Sequence, residues 1–149
     1  MNTKKKKEVE ALLHHVMEEQ IAFNKLIGLK VVSFDPAAPK VRFDMRPELV
    51  GNPSRKILHG GVISATLDVV GGFAIMLAFA DEGQLSLQQF PNMGTIDLRV
   101  DYLRPGRGKH FIAGARIVRK GSRIGVTHME LHNDDGDLIA TGGAAYVVG

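Results

Sequence analysis

The chain has 149 residues, the length of one ordinary domain and too short for two. It contains no cysteine, which excludes a disulfide framework, a Cys-ligated zinc, an iron–sulfur cluster and a thiol nucleophile. The net charge is +3, but Lys4, Lys5, Lys6 and Lys7 alone supply four positive charges, so the body of the domain is close to neutral. With no tryptophan and only two tyrosines, the chain is poorly supplied for stacking on bases, and no nucleic-acid partner is expected.

The lysine run reads as a solvated, frayed terminus. Glu8, Glu10, His14 and His15 interrupt any apolar stretch behind it, so no secretory signal is expected, and the cysteine-free composition suits a cytoplasmic location. Residues 8 to 27 read as an amphipathic helix: Val9, Leu12, Leu13, Val16 and Phe23 recur three or four apart, while Glu18, Glu19 and Gln20 fall elsewhere. Gly28 ends it. Leu29 to Phe34 and Val41 to Met45 read as short strands on either side of a Pro-rich turn. Pro47 to Lys56, with Gly51, Asn52 and Pro53, reads as a loop.

Leu58 to Ala80 is apolar on nearly every face and about as long as a membrane span. Asp68 in its middle would be expensive in lipid, and no lysines bracket the segment, so no transmembrane segment is expected. A helix apolar all round fits equally a core wrapped by a sheet. Four strands follow, at residues 93–103, 110–119, 123–132 and 138–148. They are separated by Arg104-Pro105-Gly106, Lys120-Gly121 and the hairpin signal Asn133-Asp134-Asp135-Gly136-Asp137. The order predicts a single α+β domain over residues 1–149, an antiparallel sheet with a long central helix against one face.

His59-Gly60-Gly61 leads straight into the buried helix. Amides at a helix start lack intrahelical acceptors and carry partial positive charge, and glycine lets a ligand oxygen approach them. Such a site binds an anion or polarises a carbonyl. Asp68 sits among apolar residues, where an unpaired carboxylate costs several kcal/mol. It is either bonded to a local hydroxyl such as Ser64 or kept for base or nucleophile work. Gly60 and Asp68 stand about 12 Å apart along one helix axis, too far to act on one carbonyl. Two antiparallel copies of the helix across a two-fold axis pair Gly60 of one with Asp68 of the other. Shared sites in at least a homodimer are the expectation.

LHGGVISATLD, within the longer stretch VGNPSRKILHGGVISATLDVVGG, resembles the hotdog-fold acyl-CoA thioesterases of the phenylacetyl-CoA (PaaI-like) type. The resemblance covers roughly residues 25 to 148 and is greatest to bacterial members implicated with medium- and long-chain acyl-CoA. It implies hydrolysis of acyl-CoA, aryl thioesters included, to a free acid and coenzyme A. It also implies that the Gly60 amide polarises the thioester carbonyl and that Asp68 of the partner subunit is nucleophile or general base. His59 would orient the thioester, and Thr95 in NMGTIDL would place water or carboxylate. Many members carry an Asn six residues before the His; here Pro53 holds that position and Asn52 lies one earlier. Pairing of dimers into a homotetramer is also implied.

Coenzyme A carries phosphates, which point to the basic turn Arg119-Lys120-Gly121-Ser122-Arg123, with Gly61 beside the thioester, as substrate-binding residues. Arg104 and Arg107 are weaker candidates. Val69, Val70 and Phe73 are candidate acyl contacts, with core packing the plainer assignment. His14, His15, His110, His128 and His132 show no metal-ligand spacing, so no metal or other cofactor is expected. A non-catalytic acyl-CoA binder or sensor on the same fold is the alternative, and Asp68 argues against it. A hydratase would need a His–Asp pair around the helix, and the sequence offers no such pattern.

Overall fold

The computed structural model describes residues 2–84 and 92–148. Helix α1 (Thr3–His15) is capped by Asn2, whose side chain accepts from the Lys5 amide at 2.8 Å. The four lysines are therefore solvated but helical, not frayed. A π-helical turn, Val16–Gln20, separates α1 from α2 (Ala22–Ile27), and Gly28 closes α2 with φ of 72°.

That wide turn breaks the uniform helical period expected over residues 8 to 27. Glu18 swings inward to 4% exposure and is met by His14 Nε2 at 2.5 Å and Lys30 Nζ at 3.7 Å. Phe23 swings outward to 48% exposure. Both departures follow from one local change of pitch.

Six strands form one antiparallel sheet: β1 (Lys30–Ser33), β2 (Lys40–Asp44), β5 (Gly94–Tyr102), β6 (His110–Lys120), β7 (Ile124–Asn133) and β8 (Leu138–Val147), in the order β1-β2-β6-β7-β8-β5. The segment expected as a loop holds a 3-10 turn at Pro47–Leu49 and strand β3 (Val50–Asn52). That strand pairs with β4 (Ile57–Leu58) as a separate ribbon. The β7–β8 hairpin closes as its sequence predicts. Asn133 Oδ1 accepts from the amides of Asp135 and Asp137, and Gly136 takes φ of 82°. The carboxylate of Asp134 accepts from the Lys109 amide, which holds its pKa below the usual range.

Helix α3 (Gly60–Asp81, 22 residues) lies against the inner face of this sheet. Leu67, Val70, Phe73 and Ile75 are fully buried against a sheet face carrying Phe111, Met129 and Leu131. Each such side chain contributes about 1.5–3 kcal/mol of burial free energy. Among the described residues α3 alone is long and apolar enough to cross a membrane, and 61% of its most apolar stretch is buried inside the fold. A sheet wrapped around a long central helix is the hotdog arrangement expected from the sequence.

The sheet leaves one side of α3 partly open. Val62, Ala65, Asp68, Val69, Met76 and Phe79 are half-buried and recur at helical spacing, so they form one stripe. Strand β5 borders that side as the sheet's edge. Among the described residues it pairs only with β8, and its Ile96 and Tyr102 are each 55% exposed.

Candidate active site

The start of α3 is built by its own sequence. His59 is extended, with φ of −63° and ψ of 132°, and its Nδ1 accepts from the Gly61 amide at 2.8 Å. The imidazole is thus an N-cap, and its proton sits on Nε2. The His59 carbonyl takes the amides of Val62 and Ile63. Gly61 is committed to the cap, whereas the Gly60 amide has no protein acceptor among the described residues. At the positive end of a 22-residue helix, that free N–H is a preorganised donor for an oxygen.

Neighbouring elements hold this end in place. The Tyr102 hydroxyl donates to the Gly60 carbonyl at 2.9 Å, and the His59 amide donates to Leu49 at 2.8 Å. Gly51 lies so close beneath His59 that a Cβ there would sit 2.6 Å from the His59 Cα. Tyr102 was not singled out from the sequence. Its place at the end of an alternating strand was the available signal.

Asp68 lies two turns further on, on the open stripe. The Thr95 hydroxyl donates to Asp68 Oδ1 at 2.8 Å, so the strand β5 threonine and the helix acid expected to act together are in contact. Ser64 does not bond Asp68; its hydroxyl donates to the Gly61 carbonyl at 3.1 Å. The Tyr146 hydroxyl donates to the Asp68 main-chain carbonyl at 2.7 Å. Burial, reinforced by the Asp68 charge, raises the Tyr146 pKa well above its ordinary value, so it remains a donor at neutral pH.

The other expected residues are engaged elsewhere. Asn52 caps its own turn, its Oδ1 accepting from the Arg55 amide at 3.1 Å. Val70 and Phe73 are core, whereas Val69 is half-buried on the open stripe. The basic turn 119–123 sits at the far end of α3: Lys120 pairs with Glu82 and lies 4.1 Å over the Phe79 ring, and the Gly121 amide closes the turn on Ile124. A 22-residue helix, about 33 Å long, separates that turn from Gly60. A groove of about 360 Å³ abuts Gly60 instead, and Arg55 and Arg104 line it. Arg55 went unnoticed in the sequence, since a lone arginine in a polar loop carries no periodic signal.

Residues 56–140 match the thioesterase superfamily model. Over 133 residues the chain is 42% identical to the medium/long-chain acyl-CoA thioesterase YigI of Salmonella typhimurium, covering 85% of each protein. It is 40% identical to YigI of Escherichia coli over the same length and coverage. A crystal structure of a Shewanella oneidensis protein, described as related to the thioesterase superfamily, matches with a TM-score of 0.91. That protein is 39% identical, and the match covers 100% of both chains. A hotdog sheet, a helix that begins with a free glycine amide and a matching superfamily model over most of the chain agree: the protein belongs to the thioesterase superfamily.

Proposed function

We propose that the protein hydrolyses medium- or long-chain acyl-CoA to the free acid and coenzyme A, with aryl thioesters as the other acyl class to test. The observation that carries this reading is a pair of groups on one helix. The Gly60 N–H lacks a partner among the described residues, and the Asp68 carboxylate is oriented by Thr95. Cysteine is absent, so attack on a thioester falls to a carboxylate or to water it activates.

The working unit is at least a homodimer. Gly60 and Asp68 are about 12 Å apart along α3, and a two-fold axis through its residue 64 brings Gly60 of one copy to Asp68 of the other. The half-buried apolar stripe and the free edge of β5 supply the surface for that contact. Two such dimers then make the homotetramer. The partner subunit's turn 119–123 comes to lie roughly 20 Å beyond Gly60, where it meets the ribose phosphate of coenzyme A.

In the reaction the thioester oxygen sits on the Gly60 amide. With Oδ1 held by Thr95, Oδ2 of the partner's Asp68 takes a proton from water as the water oxygen adds to the carbonyl carbon. The tetrahedral oxyanion is stabilised at the helix start. Its collapse breaks the C–S bond, and the leaving thiolate takes back the proton held on Oδ2 of the partner's Asp68. In the nucleophilic variant Oδ2 attacks first, and water then opens the acyl-aspartyl anhydride. By capping the Gly61 amide, His59 fixes the helix start and keeps the Gly60 amide aimed at the carbonyl. A cytoplasmic site of action suits this chemistry.

Asp68→Asn tests the reading on a panel of acyl-CoA thioesters. The expected loss is about 10²–10⁴ in kcat, with a smaller change in KM. Near wild-type turnover would remove Asp68 from the chemistry. In single turnovers in heavy-oxygen water, label in Asp68 identifies the nucleophilic route, with water opening the anhydride at the aspartyl carbon.

A further inference from the structure

Among the described residues, two hydrogen bonds run from side chains of β5 to α3, and they land on the two groups that the proposed reaction uses. The Thr95 hydroxyl donates to the Asp68 carboxylate, and the Tyr102 hydroxyl donates to the Gly60 carbonyl at 2.9 Å. The third side-chain bond on β5, from Arg99 to Asp101, stays within the strand. Burial does not demand the Tyr102 bond, because that side chain is exposed and water would satisfy its hydroxyl. The hydroxyl turns back onto the helix carbonyl instead, and the ring edge lies against Gly60: a Cβ there would stand 3.3 Å from Tyr102 Cε1.

The helix start needs such outside contacts. Two glycines in succession, Gly60 and Gly61, have the widest choice of backbone angles and no side chains to pack. The direction of the Gly60 N–H depends on the two peptide planes that meet at the Gly60 Cα. The plane before Gly60 is held through the His59 carbonyl, which takes the Val62 and Ile63 amides. The plane after it is held at both ends: the Gly61 N–H bonds to His59 Nδ1, and the Gly60 carbonyl accepts from Tyr102. Of these bonds only that of Tyr102 comes from the six-stranded sheet; the others begin and end within residues 59–63. Without it, these contacts would fix the helix start to itself and not to the strand that carries Thr95.

The geometry points to Tyr102 as a positioning residue of the thioesterase reaction: it holds the backbone angles of Gly60 and so aims the amide that polarises the thioester carbonyl. The inference rests on the thioesterase reading and deepens it. Tyr102 acts through Gly60 and needs no contact with the substrate. One edge strand then sets both halves of the chemistry, Thr95 turning the carboxylate and Tyr102 turning the amide. Under the two-fold axis through residue 64 of α3, Tyr102 and the partner's Thr95 serve the same carbonyl. A misaimed amide leaves binding of the coenzyme A moiety intact but stabilises the oxyanion less, so the loss belongs in kcat.

The test compares wild type, Tyr102→Phe and Tyr102→Leu in turnover of an acyl-CoA and in inhibition by two unreactive analogues. One analogue is an S-alkyl-CoA thioether, which lacks the carbonyl oxygen; the other is an S-oxoalkyl-CoA ketone, which retains it. Tyr102→Phe keeps the ring and removes one hydrogen bond, so kcat should fall about three- to tenfold with KM nearly constant. The inhibition constant should rise by a similar factor for the ketone and stay at the wild-type value for the thioether. Wild-type kcat in Tyr102→Phe, a change confined to KM, or an equal rise in both inhibition constants overturns the proposal. Tyr102→Leu removes ring and hydroxyl together and should lose at least as much kcat. Wild-type turnover in that variant overturns the proposal even where Tyr102→Phe fails to fold. If wild type hydrolyses no acyl-CoA, the thioesterase reading fails and the proposal falls with it.

Discussion

Gly71 and Gly72 are adjacent and buried on α3, yet their alanine variants should move stability in opposite directions. A Cβ at Gly71 would collide with the Tyr146 hydroxyl and would stand 2.7 Å from Thr127 Oγ1 and 3.1 Å from Met129 Sδ. At Gly72 the nearest atom is Tyr146 Cε1 at 3.5 Å, an ordinary contact. Both changes gain about 1 kcal/mol of helix propensity. Gly71→Ala also overpacks the core, at about 1–3 kcal/mol, and displaces the hydroxyl that bonds the Asp68 carbonyl, at about 1–3 kcal/mol more. The balance is a net loss of roughly 1–5 kcal/mol for Gly71→Ala and a gain of up to about 1 kcal/mol for Gly72→Ala. At about 3 °C per kcal/mol, Tm should fall by roughly 3–15 °C in the first variant and rise by up to about 3 °C in the second. Urea unfolding followed by circular dichroism, at one fixed protomer concentration, reads the difference. Shifts of the same sign, or a Gly71→Ala protein as stable as wild type, would show that the helix–sheet contact is not packed as described.

Other substitutions probe the site. Thr95→Val removes the hydroxyl bonded to Asp68 Oδ1, and kcat on acyl-CoA should fall about tenfold with KM nearly constant; a pure KM effect would argue against an orienting role. His59→Ala deletes the α3 N-cap and should cost about 1 kcal/mol in urea unfolding, together with a drop in kcat as the helix start that aims the Gly60 amide loses its anchor. Tyr146 has a raised pKa, so above pH about 10 the unfolded chain ionises this group while the folded chain keeps its proton. Stability should therefore decline with rising pH in that range, and Tyr146→Phe should flatten the slope relative to wild type.

Much of this was legible in the residues. The period of the strands and the long, largely apolar run of α3 point to the fold because each element must bury its apolar side chains. His59, Gly60 and Asp68 were readable because each is costly or unusual where it stands: glycines at a helix start, an acid on an apolar helix. Thr95 was reached through the family resemblance, and its contact with Asp68 places it at the same point in the fold. What escaped the sequence depends on local pitch or long-range reach. The π-helical turn at Val16–Gln20 inserts itself without any glycine or proline to mark it, and so Glu18 is buried against expectation. The β3–β4 ribbon was hidden because Gly51, Asn52 and Pro53 are turn formers, and the pairing of Val50 with Leu58 is set by contact with His59 and Leu49. A basic turn is visible in sequence, but which end of a 33 Å helix it reaches is decided by strand length and twist, about which composition is silent.

The stripe on α3 links the fold to the proposed chemistry. A lone chain would leave Val62, Ala65, Val69, Met76 and Phe79 partly in water, at about 25 cal/mol for each Å² of apolar surface exposed. A second α3 laid antiparallel about residue 64 would overlap this one over residues 60–68 and cover Val62 and Ala65, and the residues at the crossing decide how close the helices come. Around residue 64 they are Gly61, Ser64 and Ala65, all small, so in the proposed dimer the backbones would approach at the short end of the usual helix spacing. Bulky residues there would hold the Gly60 amide of one copy and the Asp68 carboxylate of the other too far apart for one carbonyl group. Further along the stripe Val69, Met76 and Phe79 are large and apolar, which suits an acyl chain lying along the helix beyond the crossing. An Ala65→Phe variant would therefore keep the apolar character of the stripe while widening the crossing. It should lower kcat far more than it lowers the urea midpoint, and a protein with wild-type turnover would refute a shared site built across residue 64.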